Sequence, residues 1–535
     1  SDLGLSQTAL ARDDREGAWA ALLQALRARP YDPGVQALVL GWLETSASAD
    51  QIDQVLDVLR EDGERLRRFG AGQGAVVLAE LFRRRGQPQA ARALLEARCR
   101  EAPSPTVRRE LRRLLLAIGD VDAFVARLVD DVPRYVVDDE ANRVRGRWLR
   151  LLQGPWTGGD ALGTPARAEQ LLAALLDVGW LVEVELLAES AAARWPEAAP
   201  RCRERQDEAR RQLAFEAGLR RLLYRGYQQR DTADLRTVLG RVRELSRRVL
   251  GEDVVGEPEV FSVPFVGELL DPFAGPFAEH LARYNRHLVL GRRSGGTVEG
   301  ILVTRLSVAE LPDLDALPLP GRCHEVVGID RDVEALGGVL GGDLAGVALL
   351  NHFLVDHDAV VDWALGLRER RRVAREDGLA LLQDPLPADP GTAPLDVAWR
   401  LAVVSPVADD DLGAAVLDMI RSHERQHLVD SFFYLPIEDH LWRGATLLFE
   451  FGLSASAIEA EMERRAELAA LAVSPHTELV LAHVADFFGD PPLPSPHHRG
   501  FSQLAEELRR ELVALGVPAE RALPARWHDL DMARV

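Results

Sequence analysis

The chain's 535 residues suffice for more than one domain, and 47% hydrophobic with 28% charged residues is the balance of a globular protein. A net charge of −20 excludes a general nucleic-acid binder, because phosphates require a basic surface. Three widely spaced cysteines (Cys99, Cys202 and Cys323) build neither a disulfide framework nor a cysteine metal site.

No apolar run reaches membrane-spanning length and no signal peptide is present. The expected compartment is therefore the cytoplasm. The start at Ser1 without methionine leaves open a periplasmic or secreted protein whose leader has been removed.

Residues 7–250 read as helix after helix, broken by short Gly and Pro signals. Residues 76–82, the turn Arg85-Gly86-Gln87-Pro88 and residues 90–95 look like one unit; residues 111–117, Ile118-Gly119-Asp120 and residues 123–125 look like the next. The turn glycines recur at about the period of two helices joined by a tight turn. The stretch resembles a degenerate tetratricopeptide array. That resemblance implies an α-solenoid over residues 1–250, whose concave side takes a peptide or a partner protein. Arginine clusters such as Arg108-Arg109 and Arg220-Arg221 read as solvated helix faces.

Between residues 250 and 273 the texture changes to Gly, Pro and β-branched residues, which predicts a domain boundary. Residues 287–293 then read as a strand, Ser294-Gly295-Gly296 as a turn and residues 297–307 as the return strand. Residues 324–329 and 347–355 are further strands, residues 359–376 a helix, and residues 383–394 a loop. A mixed α/β part over residues 251–405 and a helical part over residues 406–535 would make up the second domain. His352 and His357 lie in or beside a strand that could align an extended peptide by main-chain hydrogen bonds.

The helical part opens with Asp409-Asp410-Asp411, suited to a helix N-terminus, followed by Leu412, Val416, Met419 and Ile420 at helical spacing. His423-Glu424-Arg425-Gln426-His427 follows. Histidines at i and i+4 share one helix face and can grip one zinc ion, with Glu424 between them as general base. Ser431-Phe432-Phe433-Tyr434-Leu435-Pro436 should stop this helix, and another begins near Ala455.

Glu463, Ala466, Glu467 and Ala470 on that second helix complete a pattern that resembles the gluzincin metallopeptidases. The resemblance implies zinc held by His423, His427 and Glu463, with Glu467 hydrogen-bonded to a zinc histidine. The family acid at the Glu467 position is usually Asp, and Glu459 and Glu461 are competing ligands. Gluzincins also rarely carry charge where this chain has Arg421, Arg425 and Gln426. A metzincin is excluded, since its third histidine would fall at Phe433.

His423 and His427 followed by Asp430 are also similar to the metal-binding helix of DinB-like proteins, which implies a third histidine such as His352 or His357. Hydrolysis needs an oxyanion donor, and the candidates are Tyr434, His483, and His497 or His498, with Tyr434 and His498 assigned. The expected fold is mainly α with an α+β C-terminal half: a solenoid followed by a zincin-like domain with a small sheet. The expected function is a zinc-dependent peptide-bond hydrolase acting on a peptide or protein. The alternative is a non-enzymatic scaffold with a structural metal.

Overall fold

The structure is a computed structural model. It describes residues 15–28, 39, 42, 48–60, 73–101, 104–131, 162–228, 234–263, 267–292, 298–314, 323–329, 346–349, 352–376, 394–434, 455–486 and 496–530. The described part is mainly helical, with a small mixed five-stranded sheet in the C-terminal half. Among the described residues no helix is long and apolar enough to cross a membrane.

The chain divides into two compact units. One comprises Ser1–Arg134, Leu152–Gln170 and Leu186–Arg203; the other comprises Tyr135–Leu151, Leu171–Glu185 and Glu204–Val535. In the first, α1 (Arg15–Ala28), α2 (Ala49–Arg60) and α3 (Gln73–Arg84) bury one apolar stripe each around Trp19, Leu22, Val55 and Leu81. Helices α3 and α4 (Pro88–Glu101) form one pair, and α5 (Pro105–Ala117) and α6 (Val121–Asp131) the next.

Both pairs turn in the same way. Gly86 and Gly119 adopt φ of 70° and 77°, a left-handed conformation that glycine reaches without steric cost. The following amides, of Gln87 and Asp120, each bond back at 2.9 Å to the carbonyls of Phe82 and Leu115. The Asp120 side chain accepts from the Ala123 amide at 3.1 Å, capping α6, and from Arg92 of α4 at 2.6 Å, tying one pair to the next. Helices α7 (Pro165–Asp177) and α8 (Leu181–Arg194) follow.

Helices α9 (Ala199–Gln228) and α10 (Leu235–Val249) lead into the strand pair β1 (Val260–Val263) and β2 (Gly267–Leu270), helix α11 (Gly275–Arg283), and the five-stranded sheet. Its strands are β3 (Arg286–Arg292), β4 (Val298–Glu310), β5 (His324–Ile329), β6 (Gly346–Leu349) and β7 (His352–Asp356), in the order β3-β4-β5-β7-β6. Only β5 and β7 run parallel. Residues 347–355, expected as one strand, instead double back as β6 and β7, with Val347 opposite Leu354. A continuous apolar run carries no mark of where it reverses.

Phe215, Leu219 and Leu239 of α9 and α10 share a buried cluster with Leu270, Phe277, Leu288, Leu290 and Leu302. Glu216 of α9 accepts from Arg286 Nε at 3.0 Å, with both groups buried. The composition change near residue 250 therefore falls inside one core; the contact division places everything from Glu204 onward in the second unit. The turn at residues 294–296 and residues 383–393 of the loop expected over 383–394 lie outside the described residues; Pro394 opens a helix.

Against the same face of the sheet, over β7, lie α12 (His357–Glu376), α13 (Pro394–Val404) and α14 (Leu412–Tyr434). Asp356, the last residue of β7, caps α12 by accepting from the Asp358 amide at 2.9 Å. The guanidinium of Arg371, 2% exposed, bonds the carbonyls of Ala402, Ser405 and Val407 and the Asp409 carboxylate. Asp409 thus anchors the entry to α14 through α12. Helices α15 (Ala455–Val473), α16 (Thr477–Asp486) and α17 (Pro496–Ala514) complete the layer, and Trp527 in the closing turn is fully buried against α13, α16 and α17.

Candidate metal centre

Helix α14 buries Leu412, Val416, Met419 and Ile420 in a cluster with Phe353 and Val355 of β7 and Val360 of α12. With that stripe committed to the core, His423 and His427 meet α15. Their Nε2 atoms lie 3.1 Å apart, and each is 3.4 Å from Oε2 of Glu463. Four-coordinate zinc, with bonds of about 2.0–2.1 Å, separates neighbouring ligand atoms by about 3.3 Å. The three donors therefore fit one such ion. Among the described residues no other three His, Cys, Asp or Glu converge in this way.

Two Nε2–H groups cannot point at each other across that gap, so the histidine pair shares a proton or takes a metal in its place. Burial opposes charge on His423, but its bonds with Glu463 and Glu467 outweigh this and raise its pKa well above the ordinary imidazole value. Burial would likewise raise the Glu463 carboxyl. The histidines around it, His497 and His427 foremost, hold it well below the usual carboxylate range.

Glu467, fully buried, accepts from His423 Nδ1 at 2.8 Å through Oε2. Through Oε1 it accepts from His483 Nδ1 at 2.9 Å. Its carboxylate spans two imidazoles. Burial works against its charge, but His483 and the two hydrogen bonds hold the pKa at about 2. His423 thereby keeps Nε2 directed at the other ligands. His483 itself rests on the Trp363 ring at 5.0 Å.

Glu424 is 6% exposed, and its Oε2 has no hydrogen-bond partner among the described residues. Burial pushes its carboxyl pKa up, only partly offset by His423 and His427. The carboxylate lies against Gly346 of β6, where an added Cβ would come within 2.6 Å of Oε1. The bare backbone at Gly346 gives the carboxylate its room.

The charges that set this helix apart from gluzincins have a local explanation. Arg421 pairs with Glu325 of β5 at 2.6 Å, and Arg425 pairs with Asp313 beyond β4. They clamp α14 to the sheet.

His497 Nε2 lies 3.0 Å from Glu463 Oε2. Both histidines stand in the first turn of α17, so adjacent residues point about 100° apart. His497, rather than the assigned His498, is the one at the carboxylate. Gly500 makes this approach possible: a Cβ there would stand 2.3 Å from the Ala460 carbonyl and 3.2 Å from Glu463 Cβ. Tyr434 is the last residue of α14, and its side chain lies outside the described set.

Glu459 and Glu461 are not part of the converging set; Glu461 pairs with Arg464 at 2.7 Å. Nor are His352 and His357, so the three-histidine alternative does not form. Sequence reasoning missed the second contact of Glu467 and the roles of Gly346 and Gly500. All of these depend on partners far away in the chain. No family model, curated protein or solved structure matches this chain.

Proposed function

We propose that this chain is a zinc-dependent peptide-bond hydrolase of gluzincin type, preceded by a tetratricopeptide-like region that engages a protein partner. One observation carries the reading: His423 Nε2, His427 Nε2 and Glu463 Oε2 stand at ligand spacing with the buried Glu424 carboxylate beside them. The metal, when bound, supplies Lewis acidity toward water and a substrate carbonyl.

Glu424 takes the proton of the attacking water and delivers it to the leaving amine; burial raises its basicity toward that task. His497 donates to the developing oxyanion once it turns from Glu463. Strand β6, seated against Glu424 through Gly346, supports an extended peptide as substrate. The repeated Gly86 and Gly119 turns, linked through Arg92 and Asp120, support the repeat region.

The 3.0 Å contact between His497 and Glu463 favours a second reading, in which His497 closes the site as a fourth ligand and the metal is structural. Two variants separate the readings, each assayed for zinc stoichiometry and for cleavage of an unfolded protein. Glu424→Gln should keep the parent's zinc content and lose on the order of 10²–10⁴ in rate, whereas Glu463→Gln should lose one equivalent of zinc. Undiminished cleavage by Glu424→Gln removes the hydrolase reading. A parent protein that cleaves nothing but holds an equivalent of zinc that Glu463→Gln lacks establishes the structural one.

A further inference from the structure

Away from α14, three histidines gather at one end of the five-stranded sheet. His324 of β5 and His352 of β7 are register partners on parallel strands, so their side chains share a face. His287 of β3 joins them because β3 approaches β6 and the sheet curls round Ile301, Val303, Val326 and Leu354. The ring centroids of His324 and His352 lie 5.2 Å apart, and those of His287 and His352 lie 6.2 Å apart. For comparison, the His423 and His427 rings are separated by 4.8 Å. Phe273 lies against all three rings at 4.4–5.2 Å.

We infer that His287, His324 and His352 form a second transition-metal site, of the three-imidazole class that takes Zn2+, Ni2+ or Cu2+, with Phe273 as its cap. His287 is 2% exposed, and its Nε2 has no hydrogen-bond partner among the described residues. Buried polar atoms as a rule have a partner, and a bound metal would supply one here. Burial pushes the His287 pKa down to about 3 and that of His352 well below the ordinary value. Both rings are therefore neutral near pH 7, the state in which imidazole binds a metal.

As they stand, the His352 ring stacks on Phe273, the other two tilt against it, and the three do not converge as the α14 ligands do. Binding requires them to turn about χ1 and χ2 while Phe273, 38% exposed, swings outward. Glu310, opposite His324 in the β4 register, supplies a carboxylate nearby. This site shares no residue with the α14 centre, so it stands or falls independently of the hydrolase reading.

The test is zinc stoichiometry of the full, tag-free chain after dialysis against Zn2+, measured by mass spectrometry of the metal. The parent should hold two equivalents and His427→Ala/Glu463→Gln one. Adding His324→Gln, at the least buried of the three positions, should remove the last, with circular dichroism confirming the fold. A second measurement needs no further variant: Cu2+ bound to His427→Ala/Glu463→Gln should show electron-paramagnetic splitting from three imidazole nitrogens. Retention of one equivalent by that double variant supports the site even if the parent holds only one. A double variant that holds no metal, or a Cu2+ spectrum without nitrogen coupling, overturns it and leaves the three rings as packing.

Discussion

At the scale of single residues, burial decides which groups carry charge. Glu467 illustrates this: a carboxylate with no exposure keeps its charge only because His423 and His483 each donate to it, at 2.8 and 2.9 Å. Glu467→Ala should therefore weaken zinc binding by roughly 10–100-fold, and His483→Ala by a smaller factor in the same direction. Competition with a chromophoric chelator measures both. An unchanged affinity in Glu467→Ala would mean that His423 holds its orientation by packing alone.

His280 shows the opposite case. Burial, helped by the charge of Arg283, lowers its pKa to about 4, and its Nε2 lies 3.1 Å from Gln212 Oε1. The folded chain thus keeps this ring neutral where an unfolded chain protonates it near pH 6.5, so protons favour unfolding. Its contribution is fully present above about pH 6.5 and is lost as pH falls toward 4, a span worth roughly 3 kcal/mol. Urea unfolding at several pH values should show this loss, and His280→Gln should flatten the slope across that window.

At the scale of elements, helix α17 reaches the candidate metal centre because Gly500 lets its backbone touch α15. Gly500→Ala places a methyl group 2.3 Å from a carbonyl oxygen that cannot rotate away, so the helices must part. The expected cost is about 1–3 kcal/mol in thermal or urea unfolding. Zinc affinity should fall with it, because His497 and Glu463 sit at that contact. A variant as stable as the parent, with full zinc affinity, would show that the helices separate without disturbing the ligands.

At the scale of the whole chain, the second unit draws its core from both sides of residue 250. Phe215 and Leu219 of α9 and Leu239 of α10 cover Leu288, Leu290 and Leu302 of the sheet. A fragment of residues 251–535 should therefore fail to unfold cooperatively and should bind hydrophobic dyes, since three leucines lose their cover. Uncovering each costs about 1.5–3 kcal/mol. The full chain provides the comparison in the same calorimetric experiment. A sharp transition from the fragment would show that the helices before residue 250 are dispensable.

What the sequence determined by itself was local. The spacing of His423 and His427 puts two imidazoles on one helix face whatever surrounds it, and the glycines at 86 and 119 mark tight helix turns because few other residues reach that backbone conformation. The same turn recurs at Gly179, with φ of 82°, and was equally open to reading. The pairing of Glu463 with the histidines was legible only through a family resemblance, since a helical spacing does not say which helix it will face. Tertiary structure alone decided that His497 and not its neighbour meets Glu463, that residues 346–356 fold back into two strands, and that β3 carries His287 to His352. It also placed the helices before residue 250 in the core of the sheet. Periodicity within a few turns of chain fixes which face is apolar; which faces meet depends on burial shared among residues far apart in sequence, and no short window contains that information.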